Sequence, residues 1–391
     1  MGVLQDFTRV ARESGILWAC TLALDRVAPV GALRLWRPRA VPSALLAEQV
    51  GTILESWGIS PEHRAVIVER MLYADLHGID SHGCCMLPFY QRLRTEGRLN
   101  PKARIEVVQD GPTTALVDGG GGLGHVPATF GMELAIEKCR ASGVGAVAVR
   151  NSGHFGAAGA YAVMATARGL IGMATTSTPT PSVVPTFGRD PLLGTNPIAL
   201  AAPAVRNPPF LLDMATSAAS LGKLVEYWRS GRAIPSGWAL DARGQSTTNG
   251  RVAAEGRRLT PLGGDREHGG HKGYGLAVAV EILSSVLPGV ALAVPGSAGR
   301  ASVGHFLLAI DPARFRPDGG FAGDLDRLID ALHAAPPSVA GEPVLVPGDP
   351  EQRVAARRRA DGIPLTKSVL EDLRGVARSS GVAFVLDGPR A

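Results

Sequence analysis

A histidine set between a hydroxyl residue and a glycine, in Gly78-Ile-Asp-Ser-His-Gly83, offers this sequence a group for proton chemistry. An imidazole titrates near neutral pH, so His82 can give or take a proton at a reacting oxygen or nitrogen; a structural histidine is the alternative. Asp80, Ser81 and His82 are consecutive, so their side chains diverge and do not suit a hydrolytic triad. A second histidine, His154, lies in Asn151-Ser-Gly-His-Phe-Gly-Ala-Ala-Gly159, a glycine-rich turn ahead of a helix whose first amides suit an anionic group. Gly194-Thr-Asn-Pro197 follows, then Leu212-Asp-Met-Ala-Thr-Ser217, where Asp213 closes an apolar run. A carboxylate at such a strand end is either a helix cap or a partner for an imidazole.

Two further segments can meet a phosphate. In Gly269-Gly-His-Lys-Gly-Tyr-Gly-Leu-Ala277, His271 and Lys272 precede an apolar helix. Val117-Asp-Gly-Gly-Gly-Gly-Leu-Gly124 satisfies GxGxxG through Gly119, Gly121 and Gly124, the pattern of a Rossmann-type NADP cradle. That cradle expects an acid at the end of the next strand, which ends in Arg150 instead; a 2′-phosphate explains the exchange, and a plain glycine turn needs no ligand at all. Asp265, Glu267, His268 and His271 cluster in sequence, but their spacing matches no usual zinc signature, so no metal is expected.

The elements that must position these residues are legible in the periodicity. Leu45, Val50, Ile53, Leu54 and Trp57, then Val66, Ile67, Met71 and Leu72, recur at helical spacing, with Gly58 and Pro61 dividing two helices that lead into the His82 segment. From Thr113 the texture becomes strands at Thr114–Val117, Val144–Val149 and Leu170–Thr175 alternating with helices near Ala128–Ser142 and Ala157–Arg168, an α/β rhythm. Helical texture returns at Leu325–Leu332 and after a capping box, Ser368-Val-Leu-Glu371. Residues 1–40 read as an extension ending in the linker-like Arg34-Leu-Trp-Arg-Pro-Arg39.

A chain of 391 residues with 45% hydrophobic content can bury its own core. Basic and acidic residues, 40 and 35, are spread along its length, and the one run, Arg357–Arg359, reads as a solvated helix face, so no nucleic-acid partner is expected. Cys20, Cys84, Cys85 and Cys139 form no CxxC pair, which fits a reducing compartment. The longest apolar run, Ile16–Leu24, is far short of the ~20 residues a membrane helix needs. Asp6 and Glu13 also break the positive flank of a signal peptide, so a cytoplasmic protein is expected.

The order and spacing of these motifs, from about residue 42 to 380, together resemble the malate/L-lactate dehydrogenase family. This is a non-Rossmann group that includes ureidoglycolate and sulfolactate dehydrogenases, diketogulonate reductase and piperideine-2-carboxylate reductase. The resemblance rests on Ser81–Gly83, Asn151–Gly159, Gly194–Pro197, Asp213–Ser217, Gly237–Asp241, Gly269–Ala277 and Pro347–Gly348. It implies an α/β, sulfolactate-dehydrogenase-like fold: a helical segment over 41–110, a mixed-sheet domain over 111–320, and a C-terminal helical segment over 321–391 that packs with the N-terminal helices. It implies a homodimeric enzyme moving a hydride between NAD or NADP, with NADPH favoured for a reductase, and a small 2-oxo or 2-hydroxy acid, ketone or cyclic imine. His82 would exchange the proton, supported by Asp213 with Ser81 beside them. The cofactor would lie on Pro209, Phe210, Leu211, Leu212, Asp213, Met214 and Ala215, on His271 and Lys272, and on Gly348, Asp349 and Pro350. His154, Thr195 and Asn196 would face the substrate with Met86. Met86 departs from the family pattern, which usually has an arginine there to grip a substrate carboxylate. Either Arg92 or Arg189 replaces it, or the substrate lacks that carboxylate. Two rival readings are a catalytically lapsed cofactor-binding relative acting as an interaction subunit, and the Rossmann NADP reductase using Gly119–Gly124.

Overall fold

The computed structural model describes residues 38–178, 180–292 and 302–387; the Ile16–Leu24 run, Cys20 and most of the 1–40 extension lie outside them. Two helices, α1 (Ser43–Ser56) and α2 (Pro61–Leu76), form where the periodicity places them, and Ser60 caps α2 by accepting from the His63 amide. Two 3-10 turns then lead to α3 (Leu87–Thr95).

The centre is a mixed sheet of seven strands: β2 (Glu106–Asp110), β3 (Thr114–Asp118), β4 (Val144–Ser152), β5 (Ile171–Thr176), β6 (Ile198–Ala202), β7 (Phe210–Met214) and β8 (Val303–Ile310), in the order β2-β3-β4-β8-β5-β6-β7. Only β3 and β4 pair in parallel, joined by α4 (His125–Ser142); every other neighbouring pair is antiparallel. The α/β class therefore holds, with β8 inserted between β4 and β5 from far down the chain. Helices cover both faces. On one, α4 and α5 (Gly159–Thr166) bury Met132, Ile136, Val147, Val149, Tyr161 and Leu307. On the other, α8 (Gly270–Glu281) runs into a π-helical turn, Ile282–Val286, whose Ser284 hydroxyl meets Thr175 on β5 at 2.7 Å.

Helix α4 lies so close to β4 that a Cβ on Gly145 would fall inside the Ala135 carbonyl oxygen. Backbone cannot retreat as a side chain can. Gly145→Ala is therefore expected to cost about 2 kcal/mol or more in urea unfolding; a loss under about 0.5 kcal/mol would mean the helix simply slides outward.

A smaller lobe, with α6 (Leu221–Arg229) and α7 (Gly250–Gly256), closes over Val183, Leu224, Ile234 and Leu259. Beyond the sheet come α9 (Phe321–His333), α10 (Asp349–Asp361) and α11 (Lys367–Ser379). Strands β1 (Arg39–Val41) and β9 (Ile363–Leu365) pair antiparallel, and Ile363, Leu365, Leu370, Leu373 and Val376 share one core with Leu46, Ile53 and Met71. Arg39 thus begins a strand rather than ending a linker. The cap of α11 is Thr366, whose hydroxyl accepts from the Val369 amide; Ser368, the expected cap, already lies inside the helix, two residues past the observed one.

Candidate active site

The segment carrying His82 turns sharply because something large lies under it. A Cβ on Gly83 would fall within the Asp75 carboxylate of α2, so only glycine lets the chain pass. Asp75 accepts the Cys84 amide at 2.8 Å and the Cys84 thiol at 3.6 Å. Burial pushes its carboxyl up to about 7. From the far end of the chain, Arg358 of α10 donates to the Asp75 carbonyl and to both carboxylate oxygens of Asp80. The Arg357–Arg359 run is accordingly not one solvated face. Successive helical residues point ~100° apart, so with α10 packed on one side Arg358 turns inward while Arg357 and Arg359 stay exposed.

His82 itself is half-buried, with its Nδ1 and the Ser81 hydroxyl 2.7 Å apart. Its ring stacks on that of His154, centroids 5.5 Å apart. Loss of solvent drives the His82 imidazole down to about 4, so it is neutral at pH 7 and ready to accept a proton. His154 Nδ1 receives the Gly156 amide at 3.3 Å and lies 2.7 Å from the Tyr90 hydroxyl of α3. An amide can only donate, which makes Nδ1 the acceptor and leaves Nε2 of the neutral ring carrying the hydrogen. The fully buried His125 stands edge-on to Tyr90 behind this pair.

Asp213, on β7, accepts the Gly159 amide at 2.8 Å. Gly159 opens α5, so the helix start that the sequence offers to an anion is filled by the protein's own carboxylate. Burial raises Asp213 to about 6, and the Glu351 carboxylate pushes the same way. No hydrogen bond or ion pair joins His82 to Asp213. They meet opposite ends of one segment, His154 stacking on the first and Gly159 holding the second.

The remaining motifs gather around β7 and α8. Strand β7 is the edge of the sheet, and its Leu211 amide donates to Pro347 O at 3.2 Å where Gly348 turns with φ +103°. Asp349 accepts the Val346 amide at 2.9 Å, and Pro350 lies in the first turn of α10. Thr195 O accepts the Thr216 amide, bringing the 194–197 and 213–217 segments together. Asn196 is buried, its side-chain amide donating to Ala277 O at 3.0 Å and to Glu281 at 2.7 Å, so it ties this junction to α8. At the start of α8, His271 meets Arg266 at 2.7 Å; Lys272 is exposed, and no carboxylate among the described residues pairs with it. An exposed ammonium beside the first amides of a helix suits a dinucleotide phosphate.

The glycine loop after β3 does not. Its amides are already spent: Gly119 on Arg150 O, Gly120 on the Asp118 carboxylate, Gly121 on Asn151 O, and Gly124 on His154 O. Arg150 pairs with Asp118 at 3.2 Å rather than waiting for a 2′-phosphate. The Rossmann expectation is thereby corrected: a βαβ unit with GxGxxG is present, but its glycines exist for close packing, as where a Cβ on Gly124 would overlap Gly153 O.

Met86 is half-buried against the helical core. Arg92 lies over the Phe89 ring and pairs with Glu96, and Arg189 sits at the surface beside Asp190.

Residues 41–374 match the model of a family described as malate/L-lactate dehydrogenase. The chain is 40% identical to the malate dehydrogenase of Pyrococcus abyssi, covering 88% of this chain and 95% of that protein. Its fold superposes on the sulfolactate dehydrogenase of Methanocaldococcus jannaschii with a TM-score of 0.80 at 35% identity, covering 88% of this chain and 98% of the other. On the delta1-piperideine-2-carboxylate reductase of Pseudomonas syringae the TM-score is 0.76 at 31% identity, covering 87% and 100%. Sequence and fold agree, and the chain belongs to the malate/L-lactate dehydrogenase family of NAD(P)-dependent oxidoreductases.

Proposed function

We propose that this protein is a cytoplasmic homodimer that transfers a hydride between NAD or NADP and a small 2-oxo or 2-hydroxy acid, ketone or cyclic imine, with His82 exchanging the proton. The observation that carries this reading is a neutral, half-exposed imidazole stacked on a second one that is itself fixed by Tyr90 and Gly156. The nicotinamide supplies or takes the hydride. In the oxidative direction His82 takes the hydroxyl proton of the substrate, and Ser81 holds the ring by its Nδ1. Asp213, on the other side of the 154–159 segment, favours the imidazolium as it forms. His154 presents its Nε2–H toward the substrate oxygen.

The cofactor would rest on Pro209–Ala215 along the open edge of β7, on the Gly348–Pro350 turn docked against it, and on His271 and Lys272. Lys272→Ala is expected to raise the cofactor KM about tenfold, equivalent to about 1.4 kcal/mol. Gly121→Val, at a φ of +73°, strains the fold yet leaves the KM of the folded enzyme within about twofold. The reverse ranking in steady-state assays would return the cofactor to the glycine loop.

Among the described residues, neither Arg92, over the Phe89 ring beside Glu96, nor Arg189, paired with Asp190, makes a hydrogen bond or ion pair to the His82 or His154 segments, which favours a substrate without the usual carboxylate beside the reacting carbon. Support for the dimer comes from Leu276, Ile282, Val286 and Leu287, spaced along α8 and its π turn and 39%, 51%, 56% and 57% exposed, an apolar stripe that a second copy would cover. No helix among the described residues is long and apolar enough to cross a membrane. The test is oxidation of NADH and NADPH against panels of 2-oxo acids, simple ketones and cyclic imines. Turnover is expected with at least one class and fastest on a compound lacking the adjacent carboxylate; no turnover with any would sink the reading.

A further inference from the structure

The Arg358–Asp80 pair joins two segments 278 residues apart, and although Asp80 stands two residues before His82, the proposed chemistry gives neither residue a part. Arg358 is 8% exposed on α10, whereas the Asp80 side chain is largely open, so the ion pair lies at the rim of the His82 turn rather than within its core. Three holds converge on the six residues 80–85. From beneath, the Asp75 carboxylate takes the Cys84 amide. Within the turn, the Cys85 thiol donates to Asp80 O at 2.8 Å. From outside, the Arg358 guanidinium spans the Asp75 carbonyl and the Asp80 carboxylate with a planar fork that a lysine cannot reproduce. A 3-10 turn of three residues has little rigidity of its own, and this one buries no residue fully, so its shape comes from these contacts.

We propose that Arg358 and Asp80 are positioning residues: helix α10, from far down the chain, fixes the turn that holds His82 against His154, so the proton-transfer geometry is set by a residue pair that touches neither substrate nor cofactor. This rests on the reading of His82 as the proton-exchanging residue, but its placement can be tested without turnover. The charged and titratable groups around the turn are Asp75 and Cys84 below, Cys85 within it, Arg358 outside, Tyr90 and His154 opposite the ring, and the Asp213 carboxylate at the far end of the 154–159 segment.

The test is a pH titration of the histidine side chains in the full-length protein labelled with 15N-histidine, with His82 assigned by its disappearance in His82→Ala. Two variants separate position from charge. Removing a carboxylate, as in Asp80→Asn, lowers a nearby imidazole's pKa if charge alone acts, and removing a guanidinium, as in Arg358→Met, raises it. If the pair positions the ring, both variants let the turn relax and admit water, and the His82 titration moves upward in both, by about one pH unit or more. Shifts of opposite sign, or none in Asp80→Asn at an unchanged melting temperature, would overturn the proposal. Asp80→Asn alters an open side chain and keeps the test valid if Arg358→Met does not fold. Activity retained by His82→Ala would sink the reading of the site while leaving this result standing.

Discussion

Replacing His82 with alanine lowers kcat by ~100- to 10,000-fold and leaves the dissociation constant of NAD(P)H within about twofold. The range is what a positioned general acid or base contributes, equivalent to about 3–5 kcal/mol of barrier. Cofactor affinity survives because the residues proposed to hold the dinucleotide come from β7, α8 and the Gly348 turn, whereas His82 comes from the helical segment between α2 and α3. Little else moves. His82 packs on His154 and bonds Ser81 without supporting the core beneath it, which Asp75 and Gly83 build. Stopped-flow single turnovers separate the chemical step from binding. A variant that keeps kcat within about threefold would show that the proton travels another way, and His154→Ala would then become the decisive variant. The neutral ring carries a further consequence. With its imidazole driven to about 4, His82 produces no break near pH 6.5 in the oxidative rate of the free enzyme, where an exposed histidine would give one.

The fold class and the motifs of the candidate site are legible because they rest on local signals. Gly58 and Pro61 divide α1 from α2, alternating apolar runs mark β3, β4 and β5, and Gly-rich turns precede α5 and α8. What stayed hidden depends on long-range packing. Nothing in Val303–Ile310 says that it slots between β4 and β5, since strand order is decided by the whole sheet. Three-residue strands such as β1 and β9 carry too little pattern to read. GxGxxG misleads for a physical reason: tight packing of a loop under a helix and cradling a phosphate both demand glycine, and only the destination of the amide hydrogens distinguishes them. Likewise Asp75, Tyr90 and Arg358 belong to no motif. Each matters through a partner 9, 64 or 278 residues away, a spacing that periodicity does not encode.

Asp213→Asn is expected to make the protein less active and more stable at once. The carboxylate is held by the Gly159 amide, an acceptor role that the asparagine oxygen preserves, so the strand and helix stay where they are. What changes is charge. Burial raises the Asp213 carboxyl from 3.8 to about 6, meaning that the folded protein prefers it protonated. A group raised on folding contributes stability that is complete below pH 3.8 and lost as pH rises through about 6, so at pH 7 the ionised carboxylate costs up to about 3 kcal/mol that asparagine does not. The melting temperature of Asp213→Asn should therefore exceed that of the parent at pH 7, and the two should converge toward pH 4. Activity runs the opposite way. If the ionised form favours the His82 imidazolium, oxidative kcat/KM falls about tenfold for each pH unit below about 6, and Asp213→Asn lowers kcat about 100-fold and removes that limb. A charge kept at a cost in stability is the mark of a residue retained for chemistry. A variant that gained stability at pH 7 but kept both its rate and its acid limb would assign Asp213 to the helix cap alone.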